Sequence, residues 1–137
     1  FQQLIIQRVA DNKKLRPVYA AVTVSQPYTN SIKQSLYLTG LAYLYSSTNI
    51  DNIPILIENI EHVFLLDYLT AYFVVNDISI GNVNSMNGNY LYPFAALSKH
   101  YYKIGDIKKG DYYKTFALKV ASEGEIMEQY SIIFGEN

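Results

Sequence analysis

The sequence predicts an all-β fold consisting of a single antiparallel β-sandwich, and three observations support this prediction. Short segments alternate apolar and polar residues with the period of two that a strand requires. Turn-forming Gly, Asn and Asp residues separate these segments. Tyr, which favours pleated surfaces, accounts for 14 of the 137 residues, whereas charged residues make up only 17%. A chain of this length is expected to form one domain with its own core.

Alternation is clearest in the first third of the chain. A strand is predicted over 16–25, where every second residue from 18 to 24 is apolar, and the turn-forming sequence "SQPYTNS" ends it. A second strand is predicted over 35–47, where Gly40 indicates a bulge or a close approach of another backbone.

The segment 53–75 fits two interpretations. Apolar residues between Ile53 and Phe64 include a set with helical spacing, yet Ile53, Ile55 and Ile57 also alternate, and β-branched residues are frequent. We favour two or three strands over one helix.

The remaining chain carries two hairpin signals. The pair Asn87-Gly88 is the stronger one, because both residues tolerate a positive φ angle. Alternating strands are predicted over 112–120 and 126–134, and the turn "ASEGE" joins them. We therefore expect a β-hairpin at the C-terminal end.

Composition and charge exclude several functions. The chain contains no Cys, which rules out disulfides, thiolate metal sites and cysteine nucleophiles. Its 11 Lys and Arg residues are interspersed with 12 Asp and Glu residues, so there is no basic stripe for nucleic acid. No apolar run reaches the roughly 20 residues of a spanning helix. We expect no nucleic-acid partner and no membrane-spanning segment.

Few side chains are suited to catalysis or metal binding. The histidines are His62 and His100; His62 follows Glu58 by four residues, but an HExxH spacing and a third ligand are missing. Asp106 and Asp111 flank glycines and are expected to bond the local backbone, with a calcium site as the alternative. We predict no catalytic, cofactor-binding or metal-binding residue, no cofactor and no enzymatic activity.

Tyrosines form a candidate surface for a sugar, since aromatic rings stack on carbohydrate. Cross-strand packing explains the same residues without a ligand. They are Tyr37, Tyr43, Tyr45, Tyr101, Tyr102, Tyr112 and Tyr113.

Two segments resemble helical families. The segment "HYYKIGDIKKGDYYKTFAL" resembles a tetratricopeptide helix pair, with Gly105 at the turn and Ala117 in the second helix, although no 34-residue period accompanies it. The stretch from "NGNYLYPFAALSKHYY" to "GEIMEQY" is similar to the C-terminal part of glucoamylases, which implies a catalytic base at Glu128. The large helical barrel and the tryptophans of that family are missing.

A third resemblance agrees with the β prediction. The segments "YFVVNDISIGNVNSMNG" and "IGDIKKGDYYKTFALKVASEGE" loosely resemble extracellular immunoglobulin-like and fibre-forming β-sandwich domains of microbial surface filaments. The resemblance implies an immunoglobulin-like sandwich, with a jelly-roll-like order of strands as the alternative, at the cell surface or outside the cell.

The N-terminal segment "FQQLIIQRV" suggests how such a domain assembles. We expect residues 1–14 to be a donor strand and residues 15–137 to be the sandwich. Insertion of the donor strand into a neighbouring subunit would build a homopolymer: a filament, pilus or surface layer. The apolar residues of this assembly interface are Phe1, Leu4, Ile5, Ile6 and Val9. The alternatives are a monomeric adhesion or carbohydrate-binding module that contacts a surface glycan, and a helical-repeat or glucoamylase-like fragment.

Overall fold

The computed structural model describes residue 8, residues 16–70 and residues 80–135, and within them the chain is mostly helical. The strands are β1 (Tyr19–Ala21), β2 (Leu36–Leu38) and β3 (Ala42–Tyr45). The helices are α1 (Gln26–Thr29), α2 (Ile53–Glu58), α3 (Asp67–Thr70), α4 (Ile80–Asn87), α5 (Leu91–Lys103), α6 (Ile107–Glu123) and α7 (Met127–Phe134). Segments of 3₁₀ helix span Asn30–Ser35 and Gly88–Tyr90, and a π-helical segment spans Asn59–Val63.

The predicted β-sandwich is therefore wrong, and with it the immunoglobulin-like and jelly-roll-like resemblance. The described residues contain one small sheet of three strands, in the order β1-β3-β2, instead of two packed sheets. The strands predicted within 53–75 are wrong where the structure describes them, because the chain is helical from Ile53 to Val63. Asn87-Gly88 joins α4 to a 3₁₀ turn and makes no hairpin.

The small sheet confirms part of the β prediction near the N-terminal side. The strand predicted over 16–25 is present as β1, which pairs antiparallel with β3. The strand predicted over 35–47 is a hairpin of β2 and β3. Gly40 lies in its turn with a φ angle of 142°, a conformation that other residues rarely adopt.

The turn of the β2–β3 hairpin packs against α2 and the π-helical segment. The side-chain amide of Asn52 donates to the carbonyl of Leu38, and that of Asn59 donates to the carbonyl of Thr39, both at 2.6 Å. A Cβ atom at Gly40 would lie 2.9 Å from the Phe64 ring, so only glycine allows this ring to cover the turn. These contacts attach the sheet to the helical part of the chain.

Helices α5 and α6 form a helical hairpin, which is the largest packed unit of the described chain. The buried side of α6 consists of residues three or four apart, as a helix requires: Gly110, Tyr113, Ala117, Val120 and Ala121. The strand predicted over 112–120 is wrong, because apolar residues at alternate positions divide between the buried and the exposed sides of this helix. The second predicted strand, 126–134, is likewise the helix α7.

The helix pair expected from the tetratricopeptide-like segment is present, although this does not show membership of that family. Gly105 lies in the turn between the two helices, and Ala117 is fully buried in the second one. Ser98 and Gly110 meet between the two helices, where the Ser98 hydroxyl donates to the Gly110 carbonyl at 2.9 Å. Asp106 caps α6 by accepting a hydrogen bond from the Lys109 N–H at 3.0 Å, the local role expected of it.

One apolar core joins the helical hairpin to α2, α3 and α7. Its buried members are Leu56, Ile60, Leu69, Tyr90, Leu91, Phe94, Leu97, Tyr101, Tyr113, Ala117, Val120, Ala121 and Tyr130. No helix among the described residues has the length and apolarity needed to cross a membrane. The predicted assembly interface of Phe1, Leu4, Ile5, Ile6 and Val9 lies outside the described residues.

We expect Gly124→Ala to lower the free energy of unfolding by about 1 to 3 kcal/mol in urea denaturation. The added Cβ would lie 2.9 Å from the carbonyl oxygen of Val120 and 3.1 Å from that of Asn84, and backbone atoms cannot turn away. Gly81→Ala is the matched control. Open space surrounds Gly81 in α4, and Ala favours a helix, so stability should stay or rise by up to about 1 kcal/mol. Equal changes in both variants would contradict the close packing of α4 against the end of α6.

Candidate functional site

The site is centred on Glu61, which lies in the π-helical segment that continues α2. The N–H of Phe64 donates to the carbonyl of Asn59, five residues earlier, at 2.8 Å. This turn therefore holds one residue more than an α-helical turn, a distortion that often occurs at functional sites. Only 16% of the Glu61 side chain is exposed, and it contacts the helical hairpin.

Three donors of the helical hairpin converge on the Glu61 carboxylate. The hydroxyls of Tyr101 and Tyr113 donate to Oε1 at 2.5 and 3.0 Å. Lys109 Nζ donates to Oε1 and Oε2 at 3.2 and 3.0 Å, and also to the Tyr101 hydroxyl oxygen at 3.1 Å. One carboxylate thus connects the π-helical segment to both α5 and α6. We call these four residues the Glu61 cluster.

Hydrogen bonding and burial fix the protonation states of the Glu61 cluster. Burial alone would raise the pKa of Glu61, but the hydrogen bonds from Tyr101, Lys109 and Tyr113 outweigh it and lower this pKa below its ordinary value. Hydrogen bonds to Tyr101 and Glu61 raise the pKa of Lys109. Burial and then the charge of Glu61 raise the pKa of Tyr113. At neutral pH the cluster therefore contains a carboxylate, an ammonium and two neutral phenols.

A pocket of about 300 Å³ opens beside the Glu61 cluster, and we call it the aromatic pocket. Its volume is near the lower end of the range for ligand sites. It lies between the stretch 60–67 and the helical hairpin. Its lining residues are Ile60, Glu61, Phe64, Leu66, Asp67, Phe94, Lys109, Tyr112, Tyr113 and Phe116.

Ring contacts among the lining residues hold the walls of the aromatic pocket. The Phe94 ring is buried and lies 5.5 Å from the Phe116 ring and 6.1 Å from the Tyr113 ring, centroid to centroid. Tyr112 packs edge-on against Phe116 at 4.8 Å and against Tyr113 at 5.2 Å. Rings that support one another in this way form a preorganised apolar surface.

The residues considered for metal binding do not form a site. His62 and Glu58 are both exposed, and His100 packs its ring against Tyr101. Among the described residues, no group of three or more His, Asp or Glu side chains is arranged to hold a metal ion. Asp111 accepts a hydrogen bond from the Tyr102 hydroxyl at 2.5 Å.

The tyrosines and the glucoamylase-like carboxylate also occupy places that the sequence did not indicate. Tyr37, Tyr43 and Tyr45 lie on the small sheet, whereas the other four tyrosines lie on the helical hairpin. Two of these four, Tyr101 and Tyr113, direct their hydroxyls at Glu61 instead of forming an open platform. Glu128 lies exposed on α7.

The sequence interpretation did not identify Glu61 and Lys109 as functional residues. The sequence does contain an indication of the site. If 91–123 is interpreted as two packed helices, Tyr101 and Tyr113 lie on their facing sides. Two buried phenol groups need an acceptor. Which carboxylate supplies it depends on the path of the chain before the hairpin, and local spacing does not reveal that path.

Comparison of the chain with protein-family models, with curated proteins and with solved structures yields no match. The prediction of a filament or pilus subunit is wrong. Its assembly by strand insertion needs a β-sandwich that lacks one strand, and the described residues form no β-sandwich. The geometry of the helical hairpin and of the aromatic pocket is the basis for a function.

We expect Glu61→Gln to lower the free energy of unfolding at neutral pH by about 1 to 3 kcal/mol, because the hydrogen bonds from Tyr101, Lys109 and Tyr113 lose their charged acceptor. Glu58→Gln is the matched control, since Glu58 is exposed one turn earlier, and its effect should stay within about 0.5 kcal/mol. Denaturant unfolding measures both. Effects of equal size would contradict the anchoring role of Glu61.

The stability difference between wild type and Glu61→Gln should depend on pH. The pKa of Glu61 in the folded protein is lower than the value of about 4.3 expected when unfolded, so ionisation favours the folded state. The stabilisation by ionised Glu61 is complete above that unfolded-state pKa and is lost as pH falls through the folded-state pKa. We expect the free energies of unfolding of the wild type and Glu61→Gln to converge below about pH 4. A difference that grows on acidification would contradict this assignment.

Proposed function

We propose that this protein is a binding module of the helical-repeat class, which receives a side chain of a partner polypeptide in the aromatic pocket. The observation that carries the proposal is the position of this pocket. It lies between a rigid helical hairpin and the stretch 60–67, and it is lined by five aromatic rings beside a fixed carboxylate. An apolar pocket with a few converging polar groups of perturbed pKa is the usual form of a binding site.

The helical hairpin supports the proposal as a scaffold. Phe94, Leu97, Ser98 and Tyr101 follow the spacing of an aromatic residue, Leu, a small residue and Tyr that is typical of the first helix of a tetratricopeptide repeat. In helical repeats such hairpins stack side by side and present extended surfaces to partner proteins. The segment 91–123 is one such hairpin, and α7 packs against it as a third helix.

The surroundings of the aromatic pocket favour a polypeptide over a larger small molecule. A volume of about 300 Å³ holds one side chain, whereas drug-sized ligands usually occupy more. Apolar side chains adjoin the lining residues in the sequence and stay exposed: Leu65 is 84% exposed and Val63 is 57% exposed. A polypeptide that inserts one side chain can cover such neighbours with its backbone and flanking residues.

We propose binding instead of catalysis for this site. A general acid or base works best when its pKa lies near the working pH. In the Glu61 cluster the pKa values move away from neutral pH, because the pKa of Glu61 is lowered and the pKa values of Lys109 and Tyr113 are raised. Groups whose charge does not change near neutral pH can position a ligand, but they do not readily exchange protons with it.

Selection from a random peptide library displayed on phage tests the proposed function. We expect enriched peptides that share one residue type at a fixed position. Their affinity should fall about tenfold in Tyr112→Ser, which removes one wall of the pocket. Fluorescence anisotropy of labelled peptides measures the dissociation constants.

Tyr92→Ser is the matched control for this experiment. Tyr92 is 48% exposed and Tyr112 is 54% exposed, and Tyr92 is not among the residues that line the pocket. Peptide affinity should be unchanged in this variant. Failure to enrich any peptide, or equal losses in the two variants, would overturn the proposed function.

A further inference from the structure

Two rings that line the aromatic pocket each stack on two neighbours. The Phe94 ring lies 5.5 Å from the Tyr90 ring at an interplanar angle of 18°, and 6.1 Å from the Tyr113 ring at 28°. Tyr113 in turn stacks on Tyr101 at 5.7 Å and 7°. The four rings form a column in the order Tyr90, Phe94, Tyr113 and Tyr101. Neighbouring rings therefore cover the faces of Phe94 and Tyr113, and these two rings line the pocket with their edges.

Ring edges favour a different occupant from the one that ring faces favour. The edge of an aromatic ring carries partial positive charge, whereas its face carries partial negative charge, so edges attract the face of another ring. The walls of the pocket already contain this geometry, because Tyr112 packs edge-on against Tyr113 at an interplanar angle of 83°. An aromatic occupant that turns its face to the edges of Phe94 and Tyr113 therefore complements the pocket.

The charged residues of the lining already have partners within the chain. Glu61 and Lys109 form an ion pair at 3.0 Å. The hydroxyls of Tyr101 and Tyr113 also donate to Glu61, and Asp67 has an interaction partner of its own. A charged occupant would compete with these partners and would lose its own hydration on entering the pocket. An uncharged side chain leaves all of these interactions in place.

Among the aromatic side chains, phenylalanine suits this lining best. The remaining walls include the aliphatic side chains of Ile60 and Leu66, which accept no hydrogen bond. Tyr and Trp carry a hydroxyl or an indole N–H that needs a partner when it is buried. The carboxylate of Glu61 already accepts hydrogen bonds from Tyr101, Tyr113 and Lys109. Phenylalanine presents a ring face without adding a polar group that the pocket must satisfy.

Building on the proposed binding function, we propose that the aromatic pocket binds the phenylalanine side chain of a partner polypeptide. The ring of that side chain turns its face toward the edges of Phe94 and Tyr113. The flanking residues of the partner cover Val63 and Leu65, which are exposed beside the pocket. The pocket thus selects an aromatic face, and not only an apolar group of suitable size.

Three capped amino acids test the proposal: phenylalanine, cyclohexylalanine and pentafluorophenylalanine. Cyclohexylalanine has a similar shape without a π face, and fluorine substitution reverses the sign of the charge on the ring face. Amide chemical-shift mapping by NMR on the full chain gives dissociation constants, and we expect shift changes at residues 60–67 and 109–116. Phenylalanine should bind about fivefold more tightly than cyclohexylalanine and about tenfold more tightly than pentafluorophenylalanine. Burial of apolar area alone predicts the opposite order, because both analogues are more apolar than phenylalanine.

Two variants with the same substitution test the role of the stacked rings. Phe94→Leu keeps an apolar side chain but removes one ring edge from the lining, so the preference for phenylalanine over cyclohexylalanine should fall to about twofold or less. Phe134→Leu removes a ring on α7 that does not line the pocket, so the preference should not change. If Phe94→Leu does not fold, the order of the three dissociation constants in the wild type decides the proposal.

The possible outcomes separate the two proposals. Equal affinities for the three probes in the pocket, or the opposite order, overturn the selection of an aromatic face and leave the proposed binding function intact. Absence of binding by all three probes overturns the phenylalanine assignment, while the peptide selection decides the binding function independently. If that selection enriches peptides that share a charged or an aliphatic residue, the binding function holds and the phenylalanine assignment is wrong.

Discussion

The arrangement of the site depends on one partly buried carboxylate, that of Glu61, which accepts hydrogen bonds from two buried phenols. Tyr101 and Tyr113 lie on the facing sides of α5 and α6, and their hydroxyls need an acceptor that the helical hairpin itself does not supply. Glu61 reaches them from the π-helical segment, at 2.5 and 3.0 Å. The stretch 60–67 is therefore held against the hairpin, and the aromatic pocket is the space left between them.

Close packing of the helical hairpin is the second requirement. Small residues at Ser98 and Gly110 let the two helices approach, and a Cβ at Gly110 would come within 2.6 Å of the Tyr102 ring. This approach sets the distance between the rings that line the pocket. The sheet contributes from the other side, because the β2–β3 turn supports Phe64 through Gly40.

The sequence predicted some local features of this arrangement and misidentified its architecture. The β1 segment and the helix pair with Gly105 at its turn agree with patterns visible in the sequence. The strand predicted over 112–120 failed because a helix with apolar residues on two sides also produces alternation. Helix-start signals outweigh such alternation: Asp106 caps α6, and Pro54 stands in the first turn of α2. The Glu61 cluster was not predictable from spacing, because its members are up to 52 residues apart.

A double-mutant cycle of Glu61→Gln and Tyr113→Phe tests most directly whether this carboxylate joins the two parts of the site. The two side chains belong to different segments and meet through one hydrogen bond of 3.0 Å. Unfolding free energies of the wild type, both single variants and the double variant give their coupling energy. We predict a coupling of about 1 kcal/mol or more, with the double variant less destabilised than the sum of the single variants. A coupling energy near zero would contradict the anchoring of the aromatic pocket by Glu61.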